Sequence, residues 1–226
     1  MLEKASSLMP HNTAYKEAYA KAVIFLQNDY KKGMAAWEDI LRQRPNDTEL
    51  IKQLIYLYSI TEDPKNVLKN IERYEKIEDD DQSYLSLKLN AYITLHDTAS
   101  ALTLARNIIK KYPNEPNYQP LEAIVYSRFS DSIRSNAVVE HILEKDPNQG
   151  PTLYLLMKLA QAKNDTHAFE ESVRRIVLNE QLNGELRTSA MREYLSTLFH
   201  ANNDTLSAFP PLVDEARATK QDDSSL

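Results

Sequence analysis

The chain of 226 residues is 27% charged and 42% hydrophobic, which suits a folded protein rather than a disordered one. Its formal net charge is −6, with 16 Lys/Arg against 16 Asp/Glu in residues 1–113 and 11 against 17 in residues 114–226, so nothing resembles the basic stripe that nucleic acid requires. Cysteine is absent, which excludes disulfides, thiolate chemistry and Cys-ligated zinc, and no stretch reaches the ~18 apolar residues of a membrane span.

After an N-terminal extension, residues 1–13, an aspartate recurs every 34 residues: Asp29, Asp63, Asp97, Asp131 and Asp165. Pro45, Asp79, Pro113, Pro147 and Gln181 keep the same phase, as do Ile40, Tyr74, Ile108, Ile142 and Ile176. Tyr58, Tyr92 and Tyr126 form a further column. A fixed period of this length signals stacked helical hairpins. The repeats run 14–47, 48–81, 82–115, 116–149 and 150–183, followed by an irregular cap, 184–217, and a polar tail, 218–226, expected to be disordered. Only three glycines interrupt a composition that favours helix throughout.

Each repeat reads as a helix A, a short turn and a helix B. In the second repeat the apolar spacing predicts helix A over 49–60 and helix B over 64–77, with Pro64 in a tolerated first-turn position. Each recurrent Asp is expected to cap its helix B. The residue before it, Asn28, Glu62, His96, Ser130 or Asn164, is expected to be left-handed, with more strain at Glu62 and Ser130. The proline column ends helix B. The acidic run Glu78-Asp79-Asp80-Asp81 could bind a cation, but a solvated turn with a cap for the next helix explains it more simply. Pro120 implies a late start for its helix. The cap opens at Gly184 with a helix over 185–200, then Asn203-Asp204-Thr205 and the interrupting Pro210-Pro211.

These features resemble the tetratricopeptide repeat. Asn28-Asp29-Tyr30, Gly33, Trp37 and Pro45 fall on its turn, small, aromatic and proline positions, and Ile51, Leu54 and Tyr58 on its helix-A pattern. Leu85, Tyr92, Ala101 and Pro113 match in the third repeat. The resemblance covers about 14–183 and implies an all-α, right-handed α-solenoid of antiparallel helix hairpins. There are departures. Lys21, Ile55, Leu89, Ala123, Met157 and Met191 replace the helix-A glycine and should space the helices further apart, and Lys88 and Glu122 stand where leucine is expected.

The resemblance also implies that helix A lines a concave groove. The inner positions are Tyr19, Ala22 and Phe25; Lys52, Tyr56 and Ser59; Ser86, Asn90 and Ile93; Ile124, Ser127 and Arg128; Tyr154, Lys158 and Gln161; Thr188, Arg192 and Leu195. The candidate peptide-groove residues are Tyr19, Lys52, Tyr56, Asn90, Arg128, Tyr154, Lys158 and Arg192. Aromatics would supply contact area and polar groups register, although Tyr19, Phe25 and Ile93 could equally be buried between helices. Lys52 sits at a clamp-like position of the family members that grip carboxylates, but Tyr56 stands where that clamp needs Asn. That function is not carried over.

No chemistry competes with this reading. His11 precedes the array, and His96, His141, His167 and His200, assigned to turns or helix B, form no i, i+4 metal pair. No phosphate loop or nucleophile elbow occurs, so neither cofactor nor catalysis is expected. Lys31-Lys32, Lys110-Lys111 and Arg174-Arg175 read as solvated helix-B faces. Asp97-Thr98-Ala99, Asp131-Ser132-Ile133 and Asp204-Thr205-Leu206 resemble O-glycan acceptors. Asn46-Asp47-Thr48, Asn164-Asp165-Thr166 and Asn203-Asp204-Thr205 fit the N-glycan pattern, yet all of them coincide with turns that explain them. The expected function is a non-catalytic scaffold or adaptor for a protein or peptide. The alternatives are the repeat region of a larger enzyme or sensor and a structural component of a cell-envelope assembly. No signal peptide is visible. The location is therefore open between the cytoplasm and, had an export signal or anchor been removed upstream, the periplasm or envelope.

Overall fold

The computed structural model describes residues 12–78, 82–201 and Leu212. All regular structure among them is helical. The chain divides into two compact units, Met1–Ala101 and Leu102–Leu226.

The first unit holds α1 (Thr13–Gln27), α2 (Tyr30–Leu41), α3 (Thr48–Ile60), α4 (Pro64–Glu75), a 3₁₀ turn (Gln82–Tyr84) and α5 (Leu85–Thr94). Helices α1/α2 and α3/α4 form hairpins, and α2 packs on α3 and α4 on α5. The core is built from Ile24, Trp37, Ile40, Ile51, Leu54, Ile55 and Ile71, all essentially inaccessible. Gly33 has a steric reason. A Cβ there would meet Ile24 Cγ1 at 2.2 Å, so its absence lets α2 approach α1 closely.

Helix α6 (Thr98–Lys111) starts in the first unit and runs into the second. The second unit continues with α7 (Leu121–Arg128), α8 (Ser132–Lys145), α9 (Gly150–Ala162), α10 (Thr166–Val177) and α11 (Gly184–Ala201). Hairpins α7/α8 and α9/α10 recur, with α11 packed on α10. Leu153, Met157, Phe169, Val173, Ile176 and Tyr194 form its core, joined by Leu212.

All five residues expected to be left-handed are so: Asn28 (φ 53°), Glu62 (55°), His96 (57°), Ser130 (61°) and Asn164 (54°). Each following Asp then acts twice. Its N–H donates back into the finished helix, to Val23 O at 3.1 Å, Tyr58 O at 2.9 Å, Tyr92 O at 3.0 Å, Tyr126 O at 2.9 Å and Ala160 O at 3.1 Å. Its carboxylate accepts from the N–H three residues on, at Lys32, Asn66, Ser100, Arg134 and Ala168, over 3.0–3.1 Å.

The departures from the repeat pattern have local causes. Ile55, Leu89, Ala123, Met157 and Met191 are buried at the former glycine position, whereas Lys21 is exposed and pairs with Glu17 at 3.0 Å. Lys88 and Glu122 find partners instead of an apolar slot, Glu75 at 2.7 Å and Arg106 Nε at 2.9 Å. Helix α4 ends at Glu75 rather than Ile77, because Ile77 and Glu78 N–H both turn onto Tyr74 O at 2.9 Å. Pro120 occupies the position before α7, which has only eight residues. His200 lies in α11, not in a turn or on helix B. Asp79–Asp81, Asn203–Thr205, Pro210-Pro211 and the tail lie outside the described residues.

Ser130 bears the left-handed cost of about 1–2 kcal/mol without a glycine's freedom. Ser130→Gly is expected to raise stability by about 0.5–1 kcal/mol after glycine's entropic cost, and Asp131→Ala to lower it by about 1 kcal/mol, both by urea denaturation. Ile108 is 3% exposed, so Ile108→Asp would bury an unpaired charge and is expected to abolish the cooperative thermal transition of the second unit.

Candidate functional site

Helices α1, α3, α5, α7, α9 and α11 are the A helices, and the expected groove residues divide evenly between the two compact units. In the first, Tyr19 is half-buried with Lys32 Nζ 5.5 Å from its ring centroid. Lys52 is half-buried with its Nζ 5.4 Å from the Tyr74 ring. Tyr56 is 64% exposed, and Asn90 is exposed. Among the expected inner residues that were ambiguous, Ile93 is buried, Tyr19 is half-buried and Phe25 is 70% exposed.

Two apolar residues that the groove assignment omitted are exposed on the same helices. Leu26 is 81% exposed and Ile60 48% exposed. They are 34 residues apart, at the ends of α1 and α3. The column comparison that found the aspartates could have found them, because the later positions of the same phase, Thr94, Arg128, Ala162 and Ser196, carry no large apolar residue.

The A–B turn of α3/α4 and the facing side of α5 line a cavity of about 480 Å³ that is open to solvent. Val67, Leu87 and Ala91 supply apolar wall, while Ser59, Glu62 and Asn90 supply polar groups. Ser59 and Asn90 were both expected inner residues. Tyr58 and Asp63 also reach the cavity. Asp63 is committed to α4, accepting from Asn66 N at 3.1 Å and Asn66 Nδ2 at 2.7 Å. Tyr58 OH lies 3.5 Å from Glu38 Oε1, and Glu38 also binds Arg73 at 2.8 Å. Burial, then the Glu38 and Asp63 carboxylates, push the Tyr58 phenol up to about 12.

In the second unit three expected residues, Tyr154, Lys158 and Gln161, are engaged by neighbouring side chains. Tyr154 OH lies 3.4 Å from Glu193 Oε1, and Lys158 Nζ lies 3.1 Å from Glu193 Oε2. Lys158 also donates to Gln161 Oε1 at 2.7 Å, and Gln161 Nε2 donates to Thr197 Oγ1 at 3.0 Å. These bonds lace α9 to α11. Arg128 and Arg192 are exposed. The paired cations Lys31-Lys32, Lys110-Lys111 and Arg174-Arg175 are also exposed, on second helices of hairpins. Among the described residues no group of three or more His, Asp or Glu is arranged to hold a metal, and no described helix is long and apolar enough to cross a membrane.

No protein-family model matches the chain, and no curated protein matches it in sequence. Solved structures do. A MamA double mutant (RS-1 ArsTM) is 11% identical with a TM-score of 0.50, over 81% of this chain and 97% of that one. A tetratricopeptide repeat protein from Parabacteroides merdae is 13% identical, TM-score 0.46, over 84% and 75%. YrrB, described as a tetratricopeptide repeat protein with an unusual peptide-binding site, is 11% identical, TM-score 0.45, over 85% and 98%. Identities this low speak to fold alone. The unbroken period and the recurring hairpins, with the fold shared with the MamA double mutant, define an all-α helical-repeat protein of tetratricopeptide-like fold.

The raised Tyr58 pKa sets a pH dependence. The folded phenol keeps its proton where the unfolded phenol, near 10, loses it, so this contribution is whole below pH 10 and disappears toward pH 12. The melting temperature of wild type is therefore expected to fall more steeply than that of Tyr58→Phe over this window, as followed by circular dichroism.

Proposed function

We propose that the chain is a non-catalytic scaffold that holds a protein or peptide segment on its helix-A surface. One observation carries this reading. Phe25, Leu26, Tyr56 and Ile60 are 70%, 81%, 64% and 48% exposed, and all four lie in the C-terminal halves of the first two A helices. Isolated exposed apolar residues are ordinary, but here Leu26 and Ile60 recur in register on neighbouring repeats, each within four residues of an exposed aromatic, Phe25 or Tyr56, and exposed apolar residues gathered this way suit an interaction surface. The buried core beneath, from Ile24 to Ile55, fixes these helices before a partner arrives, so little ordering entropy is lost on docking. The candidate residues Tyr19, Lys52, Tyr56 and Asn90 serve this surface in the first unit. Arg128 and Arg192 are the exposed members available in the second. The net charge of −6 favours a protein partner over nucleic acid.

The variant pair matters for the test. Lys158→Glu would set a carboxylate beside Glu193 and disturb the α9–α11 contact, so it is unsuitable. Tyr56→Ala and Phe25→Ala alter exposed side chains and are expected to change stability by less than about 0.5 kcal/mol each. In a crosslinked pull-down from the source cell, a protein recovered by wild type should be lost with the folded Phe25→Ala/Tyr56→Ala variant. Equal recovery would place binding elsewhere on the chain.

A further inference from the structure

We infer that the α3/α4–α5 cavity is a receptor for a lysine or arginine side chain, carried on a partner segment whose apolar neighbours lie on Tyr56 and Ile60. The inference rests on the scaffold reading and specifies its partner. Three observations carry it.

The first is shape and lining. The cavity holds about 480 Å³, enough for a long side chain and part of the backbone that presents it. Its apolar wall, Val67, Leu87 and Ala91, suits an aliphatic stem, and among the described residues no Lys, Arg or His lines it.

The second is the state of its two carboxylates. Asp63 is held by Asn66 N and Nδ2. Among the described residues Glu62 forms no ion pair, and it is exposed. The left-handed φ of 55° sets Glu62 at the cavity lip, with Ser59 and Asn90 as further polar groups.

The third is the charge balance of the surrounding surface. Every lysine on the A helices of this unit is already engaged. Lys16 pairs with Asp39, Lys21 with Glu17 at 3.0 Å, and Lys88 with Glu75 at 2.7 Å, while Lys52 stands over the Tyr74 ring. None of these helices carries an arginine. Lys65 is exposed on the adjoining first turn of α4, but the described lining of the cavity itself holds two carboxylates and no cation, and it is this lining that complements a basic group. Tyr56, Ser59 and Ile60 share one face of α3 by i, i+3 and i+4 spacing, so an apolar contact adjoins the cavity mouth.

The test is phage display of random dodecapeptides on the intact chain at low salt, followed by fluorescence anisotropy of the strongest binder made as a labelled peptide. The recovered sequences are expected to share a Lys or Arg beside an apolar residue. Glu62→Gln retains the length and backbone preference of Glu62 and should leave the melting temperature unchanged while weakening that peptide about fivefold. Replacing the shared basic residue by norleucine should weaken it similarly, and the two losses should not add. Peptides without a common basic residue, or equal affinity for wild type and Glu62→Gln, would overturn the assignment. In either case, loss of binding with Tyr56→Ala would leave the scaffold reading intact. A display that recovers no peptide would count against both.

Discussion

The hairpins depend on a turn that uses one aspartate at two helix ends. A left-handed residue stops helix A, the next N–H closes it, and the same residue's carboxylate opens helix B. Each cap is worth about 1 kcal/mol, whereas full burial of one isoleucine is worth about 1.5–3 kcal/mol. The turn therefore supplies little of the stability. It supplies register. By fixing where the chain reverses, it brings Ile40 and Ile176 to the same inaccessible place in their respective hairpins. A slip of one residue there would rotate the following helix by about 100° and turn its apolar stripe away from the core.

Register held this firmly tolerates poor side chains elsewhere. Lys88 and Glu122 occupy positions that an apolar residue would fill better, and half-exposed ion pairs are worth less than about 1 kcal/mol. The hairpins persist because the turn chemistry around them is intact. The tyrosine column shows the same economy. Tyr58 meets Glu38, twenty residues earlier, and Tyr126 meets Arg106, also twenty residues earlier. A phenol donates to the carboxylate and accepts from the guanidinium, so one residue type serves partners of opposite charge.

The fold was legible because its determinants are local and periodic. Asp-capped turns, left-handed residues and the late start after Pro120 each depend on a few neighbouring residues. The site was less legible because it depends on pairings between helices. Lys158 falls at a groove position, but Glu193, thirty-five residues away, neutralises it. The same kind of contact occupies Lys88 and Lys52. Periodicity identifies an inward column without revealing which of its charges are already compensated. Leu26 and Ile60 were missed for another reason. The family pattern assigns inner positions, and both lie one residue beyond Phe25 and Ser59.

Compensation decides what the first unit's surface can recognise. Reading residue types alone, Lys52 and Lys88 suggest a face that attracts acidic partners. Once the pairs are drawn, those cations are internal cement for neighbouring helices, and Glu62 at the turn stands uncommitted. A bound cation would meet a carboxylate with no ion pair to break first among the described residues. The left-handed residue before the conserved-phase Asp is where the repeat leaves freedom of side chain, since the turn uses only its backbone. Asn28, His96, Ser130 and Asn164 fill that position elsewhere without a carboxylate. The second repeat alone places a glutamate at this point, at the lip of the cavity proposed to receive a basic side chain.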